Sequence, residues 1–307
     1  MNRLEIQKNI TEISDFSNEF GIDPQFIEKD IYVVLVLDYL SKINYPDVEI
    51  IFSGGTCLSK AYKKIKRFSE DIDFRIHTKV EFNRTKRKDF FEYILSEIKN
   101  IEDLTICDST IIKANENKFL SLELEYKKHF HQHTSLRPNV KLEFTFENTI
   151  MPYEIHKIKT LIGEYFHDYL ETEIKCINPN EVLANKFSAL MWRVQSRNRE
   201  AEIYSSKNDP TIIRHLHDVS VMCNDLNKDV FSKCLEISFV NDKGRGSITT
   251  DFSLKDFALN TYKKLKSDKL YPKEYTDYVQ ALSYAKDNEK MDFETALENF
   301  KNLISLI

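Results

Sequence analysis

Alternation of apolar and polar residues predicts strands in the first half of the chain. The segment VEIIFS, residues 48–53, is rich in β-branched residues and is followed by two glycines, which favours a strand that ends in a tight turn. The segment DIDFRI, residues 71–76, alternates strictly, so its aspartates share one face and its apolar residues share the other. Two further alternating runs, residues 119–128 and 140–148, flank a polar connection and indicate an antiparallel pair.

Helical spacing of apolar residues covers most of the remaining chain. Residues 4–44 predict two helices, and a basic helix is expected at about residues 82–100. After the glycine pair, the spacing predicts an amphipathic helix whose apolar stripe consists of Leu58, Ala61, Tyr62 and Ile65. Beyond about residue 175 the pattern is helical almost throughout. The expected fold class is therefore α+β, with a mixed or antiparallel sheet flanked by helices in residues 1–175 and a helical bundle in residues 176–307.

The composition is that of a folded protein without membrane-spanning segments. The chain has 307 residues, of which 41% are hydrophobic and 30% charged, as in an ordinary folded protein. It contains no apolar run that approaches the roughly 18 residues needed to span a membrane, and its five cysteines are scattered. We therefore expect a cytoplasmic protein without a disulfide framework. A net charge of −5 neither indicates nor excludes nucleic-acid binding, which depends on local patches.

Gly54 and Gly55 are two of only six glycines in the chain, and they follow a predicted strand directly. Glycine at such a turn lets the backbone approach a bulky anion and leaves N–H groups available to bind it. The helix that follows would add the positive end of its dipole. A tight turn needs glycine for steric reasons as well, so the pair alone does not distinguish a phosphate site from a plain turn.

Asp71 and Asp73 are stronger candidates for chemistry. Two carboxylates at positions i and i+2 of a strand point the same way, which suits them to share a hard cation such as Mg²⁺. The alternative is an ordinary exposed strand face. A third acid is expected at Glu143, opposite the apolar face of its strand, and Glu123 and Glu125 are rivals for that position. Two aspartates and a glutamate beside a phosphate-binding turn would form a two-metal site.

Several segments resemble one family. The string FSGGTCLSKAYKKIKRFSEDIDF closely resembles the first motif of the AbiEii/AbiGii toxin family of bacterial nucleotidyltransferases, within the DNA polymerase β-like superfamily. The segment EKDIYVVLVL, residues 28–37, resembles the family's upstream EKD helix. Residues 181–193, EVLANKFSALMWR, resemble its lysine-bearing helix, and residues 214–218, RHLHD, resemble its R-D-x-x-D segment. His215 stands where the family usually has the first aspartate of that segment.

The resemblance implies roles for individual residues. Residues 1–175 would be the nucleotidyltransferase domain, in which Asp71 and Asp73 bind two Mg²⁺ ions, with Glu143 as the third acid by pattern. Lys186 would contact phosphate and Asp218 would complete the site; on the residues alone, Lys186 is a solvated helix lysine and Asp218 an ion-pair partner of Arg214. The residues expected to hold the triphosphate are Ser53, Gly54, Gly55 and Thr56, together with Lys186.

The expected activity is Mg²⁺-dependent transfer of a nucleotide from a nucleoside triphosphate (NTP) to an acceptor hydroxyl, with release of pyrophosphate. By the same resemblance, the acceptor is a tRNA or another RNA, and the protein is the toxin of a bacterial pair with a cognate antitoxin. Two alternatives stay open. One is a non-catalytic member that binds nucleotide or RNA and regulates by occupancy, and the other is a metal-dependent phosphohydrolase that uses the same acids.

Overall fold

The computed structural model of the protein describes residues 3–69, 71–131, 136–165, 170–243 and 252–307. The chain divides into two compact units. The first unit comprises Met1–Lys63 and Phe68–Ile177, and the second comprises Lys64–Arg67 and Asn178–Ile307. The sequence pattern places a single boundary between residues 175 and 176, and it gives no sign that Lys64–Arg67 belongs with the C-terminal part.

The described residues of the first unit contain four α-helices: α1 (Arg3–Phe20), α2 (Pro24–Ser41), α3 (Gly54–Lys60) and α4 (Arg84–Ile98). The start of α2 follows from local chemistry, because the side chain of Asp23 accepts a hydrogen bond from the backbone N–H of Gln25 and Pro24 occupies the first turn. The N-cap of α4 is Asn83, whose side chain accepts from the N–H of Lys86. The two predicted N-terminal helices and the basic helix are thus confirmed.

The described part of the first unit contains one mixed sheet of eight strands: β1 (Val48–Ser53), β2 (Asp71–Thr78), β3 (Leu104–Ile106), β4 (Ile112–Ala114), β5 (Phe119–Tyr126), β6 (Val140–Phe146), β7 (Glu154–Lys159) and β8 (Glu171–Cys176). Its order is β3-β5-β6-β2-β1-β8-β7, with β4 paired to β5. The β1–β2, β5–β6 and β7–β8 pairs are antiparallel, whereas β2–β6 and β1–β8 are parallel. The predicted α+β class and the predicted antiparallel pair of β5 and β6 are confirmed.

The strict alternation of β2 sorts its side chains as expected. Ile72, Phe74 and Ile76 are fully buried, while the aspartates between them are partly exposed. The ring of Phe74 stacks on that of Phe144 in the neighbouring strand, with their centroids 5.2 Å apart. Burial of these apolar side chains fixes the register of β2, because a slip by one residue would turn the carboxylates into the core.

The helix after the glycine pair differs from the prediction. It begins at Gly54 and ends at Lys60, so the predicted stripe that continues to Tyr62 and Ile65 is wrong beyond the first turns. Lys63 adopts a left-handed backbone with φ of 52°, which is incompatible with a continuing α-helix. Directly after it, the segment Lys64–Arg67 joins the second unit. The tertiary contacts of that segment therefore override the local helical spacing.

The described part of the second unit consists of helices and loops. Its α-helices are α5 (Pro179–Ser196), α6 (Ile213–Val221), α7 (Lys228–Asp242), α8 (Leu254–Ser267), α9 (Leu270–Tyr278) and α10 (Phe293–Ile304), with short 3₁₀ turns between some of them. Phe187 of α5 is fully buried, and its ring contacts those of Phe231 and Phe300. Among the residues that the structure describes, none of the helices combines the length and the apolar character of a membrane span.

Candidate active site

Asp73 lies at the centre of one row across three neighbouring strands. Its register partner on β1 is Ser53, and its register partner on β6 is Glu143. Residues paired in register on adjacent strands project from the same face of a sheet. The sheet therefore aligns Ser53 at the end of β1, Asp73 on β2 and Glu143, the predicted third acid, side by side on one face. Asp71 projects from the same face of β2, two residues earlier, beside Lys141.

Gly54 has a steric reason to be glycine. Its φ is +75°, in the left-handed region that L side chains rarely adopt. A Cβ atom on this residue would lie 1.9 Å from Oδ2 of Asp73 and 2.7 Å from its Cγ. The first glycine of the pair thus makes room for the Asp73 carboxylate, a role that the sequence pattern did not reveal. Gly55 lies within the first turn of α3 and is buried.

Ser53 and Thr56 tie the glycine turn to β2. The hydroxyl of Ser53 donates to the backbone carbonyl of Asp73 over 3.4 Å, and the hydroxyl of Thr56 donates to the carbonyl of Asp71. Ser53 is 6% exposed and Thr56 only 1%. Both hydroxyls are therefore used inside the fold, and they hold the turn against the strand that carries the aspartates.

Asp71 faces a cation rather than a second acid. Nη1 of Arg137 lies 3.4 Å from Oδ1 of Asp71. That oxygen is buried and accepts no hydrogen bond within the described part of the chain, although 31% of the Asp71 side chain is exposed. A buried carboxylate oxygen without a hydrogen-bond donor is costly unless a cation or water satisfies it.

Glu143 forms an ion pair with Lys141, two residues earlier on the same face of β6. The rivals for the third acid lie one strand further away on β5. Glu123 is in register with Lys141 and accepts a hydrogen bond from Nδ2 of Asn139 at 3.0 Å, and Glu125 is exposed. Of these three glutamates, Glu143 is the one whose register partner is Asp73.

The predicted metal ligands fit a divalent cation in part. Asp71 and Asp73 supply hard oxygen donors on one face, and the orphaned Oδ1 of Asp71 is suited to a cation. Among the described residues, however, no group of three or more His, Cys, Asp or Glu side chains is gathered closely enough to hold a metal. Glu143 would have to exchange Lys141 for the ion before it could serve as the third ligand.

A second group of predicted residues lies inside the second unit. Asp218 of α6 is fully buried and accepts two hydrogen bonds from Arg67, from Nε at 2.8 Å and from Nη2 at 2.6 Å. Nζ of Lys186 on α5 lies 2.8 Å from Oδ2 of the same carboxylate. Nδ1 of His217 lies 3.2 Å from Oδ1. One buried carboxylate thus holds two cations and an imidazole.

These neighbours set the protonation states. Burial alone would raise the pKa of Asp218, but the Arg67 and Lys186 cations hold it well below its usual value, so the carboxylate is charged. Burial lowers the pKa of His217 despite its bond to Asp218. Burial and the nearby Lys186 and Arg193 cations lower the pKa of His215 well below its usual value. His215 is therefore neutral near pH 7, and its buried Nδ1 has no hydrogen-bond partner in the described structure.

Sequence reasoning missed Arg67, Arg137 and Lys141 as members of these groups. Arg67 is 3% exposed, and its partner Asp218 is 151 residues away in the chain. The alternation of β6 places Lys141 on the face of Glu143, which could have indicated their pairing. For Arg137 the sequence carries no such signal, because it lies in the connection between β5 and β6, where no periodic pattern applies.

Comparisons with known proteins agree with this architecture. The family model described as "Nucleotidyl transferase AbiEii toxin, Type IV TA system" matches residues 41–299. A search of solved structures finds the nucleotidyltransferase toxin MenT4 from Mycobacterium tuberculosis, with a TM-score of 0.52 and 14% sequence identity over 90% of this chain and 91% of that one. No curated protein matches the chain. Because the family model covers most of the sequence, the chain belongs to the AbiEii family of nucleotidyltransferase toxins of type IV toxin–antitoxin systems.

Proposed function

We propose that this protein transfers a nucleotide from an NTP to an acceptor hydroxyl in a reaction that needs Mg²⁺. The hydroxyl oxygen forms a bond to the α-phosphorus, the bond from that phosphorus to the bridging oxygen of the β-phosphate breaks, and pyrophosphate leaves with the electron pair. The hydroxyl proton passes to solvent. The coarser activity, nucleotide transfer by a toxin, is that of the family.

The observation that carries the proposal is the row formed by Ser53, Asp73 and Glu143 across β1, β2 and β6. It places a carboxylate against the turn whose left-handed glycine leaves space for it. A phosphate chain bound along that turn would meet backbone N–H groups on one side and acidic oxygens on the other. This arrangement supports Gly54 and Gly55 as the triphosphate-binding turn.

Asp71 and Asp73 would hold the metal, with Glu143 as the third acid. A divalent cation bound there would activate the acceptor hydroxyl and offset charge on the leaving pyrophosphate. The protein itself holds the two aspartates in place. The hydroxyls of Ser53 and Thr56 bind the backbone of β2, and the buried apolar face of β2 keeps the aspartates on the opposite face. Release of Glu143 from Lys141 is the rearrangement that this assignment requires.

Lys186 is the proposed phosphate-contacting residue of the second unit, and Asp218 is its positioning residue. The carboxylate of Asp218 is fully buried, so direct contact with substrate would need a large rearrangement. Its hydrogen-bonded charge instead fixes the ammonium of Lys186, whose side chain is 10% exposed. With Arg67 included, the group has two positive charges against one negative charge, which suits it to a polyanionic substrate.

The acceptor is proposed to be tRNA or another RNA, and the cognate antitoxin is the expected partner in the cell. The decisive experiment incubates the protein with each of the four labelled NTPs and total RNA, with Mg²⁺ present or chelated. Labelled RNA should appear only with Mg²⁺, and Asp73→Asn should eliminate it. RNA that stays unlabelled under all conditions, with a folded protein, would contradict the proposal.

A non-catalytic nucleotide-binding protein is the second candidate. It is favoured by the pairing of Glu143 with Lys141 and by the lack of a gathered three-ligand group in the described residues. Such a protein would bind NTPs with measurable affinity but would not label RNA or release pyrophosphate. Measuring nucleotide binding and pyrophosphate release on the same sample therefore distinguishes the two candidates.

A further inference from the structure

Positive charge is concentrated in the segment that follows β2. Residues 79–88 contain five Lys or Arg residues and one acid, in a chain whose net charge is −5. Helix α4 begins within this segment, and its first turn contains no acidic residue. Cations at a helix N-terminus oppose the helix dipole, so this distribution of charge costs stability. A partner that supplies negative charge would offset that cost.

The buried side chain of Arg87 joins the start of α4 to the turn between β4 and β5. Its Nη2 and Nε donate to the carbonyl oxygen of Glu116 at 3.0 and 3.2 Å, and its Nη1 donates to the carbonyl oxygen of Phe82 at 2.5 Å. Three consecutive residues of the turn, Asn115, Glu116 and Asn117, have left-handed backbones with φ between 51° and 60°. That conformation is strained for residues other than glycine, so the turn depends on contacts such as those of Arg87.

Four exposed cations lie in this region, and we call them the basic ridge: Lys79, Arg84, Lys86 and Lys118. Lys79 and Lys118 line a cavity of about 320 Å³, which the side chains of Phe82 and Phe146 also line. Nζ of Lys86 lies 5.5 Å from the centroid of the Phe82 ring. The basic ridge therefore borders a cavity that is large enough to admit part of a ligand and that combines cations with aromatic rings.

The charge of the basic ridge is poorly neutralised. Within the described residues, the side chains of Arg84 and Lys118 have no acidic partner, and Lys86 contacts an aromatic ring instead of an acid. Nζ of Lys79 lies 3.5 Å from Oε1 of Glu49, but 63% of the Lys79 side chain is exposed. Exposed pairs of this kind are weak, so all four cations are available to a polyanion.

Two acids also line the cavity, Glu81 and Glu147. Glu147 is paired with Arg75 of β2, so it does not neutralise the basic ridge. Glu81 is exposed and has no cationic partner among the described residues. With Arg75 and Arg87 included, the cations of this region outnumber its acids even when Glu49 is counted. The local field is therefore positive.

The basic ridge begins where β2 ends, whereas the acidic row lies near the start of that strand. Asp73 and Thr78 are five positions apart on β2, which is about 17 Å at roughly 3.3 Å per residue. The carboxylates of Asp71, Asp73 and Glu143 repel phosphate groups, so a polyanionic acceptor gains no affinity from them until a metal ion is bound. A cationic surface a few nucleotides away supplies that affinity without neutralising the acids.

We propose that the basic ridge binds the sugar–phosphate backbone of the RNA acceptor, a few nucleotides from the hydroxyl that reacts. This inference rests on the transfer to RNA proposed above, since it assigns the surface that holds that acceptor. The cavity admits one phosphate or one unstacked base, and aromatic side chains such as Phe82 and Phe146 can stack with a base. An acidic protein segment would be attracted by the same cations but would gain nothing from the aromatic lining.

The test measures the affinity for a fluorescent RNA strand of about 20 nucleotides by anisotropy, without NTP and with divalent ions chelated, over a range of salt concentrations. The double variant Arg84→Gln, Lys118→Gln removes two cations that have no acidic partner in the described structure. It should weaken RNA binding at least about tenfold at low salt. The slope of log K against log salt concentration should also become shallower by about 1.4, roughly 0.7 for each lost phosphate contact on a single strand.

The double variant Lys99→Gln, Lys157→Gln is the matched control, because it removes two exposed cations of the same unit that do not line the cavity. It should bind RNA with the affinity and the salt dependence of wild type. Thermal unfolding checks that both variants are folded. A poly-glutamate peptide of similar charge is the second probe, and wild type should bind it more weakly than RNA.

Absence of RNA binding by wild type, wild-type affinity in the Arg84→Gln, Lys118→Gln variant, or an equal loss in the control would each overturn the proposal. Poly-glutamate binding as tight as RNA binding would instead identify a surface for an acidic protein and overturn the assignment to RNA. Because binding is measured without NTP, these outcomes are separate from failure of the proposed function. That failure would be seen as wild-type protein that binds RNA through the basic ridge without labelling it.

Discussion

The carboxylate of Asp73 occupies the space that a side chain on residue 54 would need. Only 1.9 Å separates Oδ2 of Asp73 from the position of a Cβ on Gly54. The glycine turn and the acidic strand are thus in direct steric contact, and a side chain on residue 54 cannot be accommodated unless Asp73 moves. Substitution of Gly54 therefore tests whether the position of the Asp73 carboxylate matters for activity.

Gly54→Ala should displace Asp73 and reduce nucleotide transfer more than 10-fold. It should also lower the free energy of unfolding by about 1–3 kcal/mol, because it combines a left-handed backbone with a collision. Gly21→Ala is the control, since Gly21 has φ of +67° and no atom within 4 Å of its Cβ position, so it reports backbone strain alone. Chemical denaturation and transfer assays on both variants give the comparison, and equal behaviour would mean that the Asp73 contact is unimportant.

Asp71→Asn and Asp73→Asn should each reduce transfer by at least about 100-fold while the protein stays folded, as expected when a metal ligand loses its charge. The measurement is RNA labelling as a function of Mg²⁺ concentration, with circular dichroism to check the fold. Wild-type labelling by either variant would contradict a site that needs both aspartates.

The third acid can be tested by comparing two glutamates on neighbouring strands. Glu143→Gln should impair transfer and raise the Mg²⁺ concentration needed for half-maximal labelling, because Glu143 is in register with Asp73. Glu125→Gln, at an exposed position on β5, should behave like wild type. If the order is reversed, the acid that completes the site comes from β5 and the strand alternation was misinterpreted.

Arg67→Met should destabilise the second unit by about 3–5 kcal/mol, because it leaves the buried Asp218 without its bidentate partner. Lys64→Met is the matched control from the same short segment. Its pair with Asp225 is exposed, and exposed pairs contribute only about 0–1 kcal/mol. Urea denaturation distinguishes the two, and similar small effects would show that Arg67 is dispensable for folding.

Lys186→Ala should reduce nucleotide-dependent steps about tenfold to hundredfold, since one charge-assisted phosphate contact is lost. Asp218→Asn should show a loss in the same steps if Asp218 acts by positioning Lys186, and the double variant should not lose more than the worse single variant. Additive losses would instead indicate that Asp218 contacts the reacting groups itself.

Stability should fall in mildly acidic solution because of His215. Its pKa is lowered well below the ordinary 6.5, so the unfolded chain binds a proton that the folded protein excludes. The free energy of unfolding is therefore highest above pH 6.5 and decreases as pH falls below it, by up to about 1.4 kcal/mol per pH unit for one group. His215→Asn should flatten this slope between pH 7 and 5, measured by urea denaturation. An unchanged slope would assign it to other groups, such as His217, whose pKa is also lowered.

The sequence predicted those parts of the candidate site that depend on short-range periodicity. Alternation placed Asp71 and Asp73 on one face and favoured Glu143 over its rivals Glu123 and Glu125, and β-branched residues before the glycines indicated β1. Lys186 and Asp218 came from the resemblance to the family, because a single lysine or aspartate on a helix carries no periodic signal.

The remaining features depend on contacts between residues far apart in the chain. The spacing after Leu58 is helical and indicates nothing about Arg67, whose partner Asp218 lies on α6. The pairing of Lys29 with the Arg137 carbonyl joins residues 108 positions apart. No local pattern encodes such distant partners, and a helical stripe loses its predictive value where the chain leaves one unit for another.

The segment Lys64–Arg67 belongs to the second unit although it lies within the sequence of the first, and this has a consequence for synthesis of the protein. Arg67 emerges from the ribosome 151 residues before Asp218, its buried partner. During that interval the rest of the first unit, from Phe68 to Ile177, is synthesised. The segment Lys64–Arg67 has been synthesised by then, but the helices with which it packs, from Asn178 onwards, have not. A gene fragment that begins at Asn178 would encode the C-terminal helices without the arginine that neutralises their buried carboxylate. The two units are therefore distinct in their internal contacts but interleaved in the order of the gene.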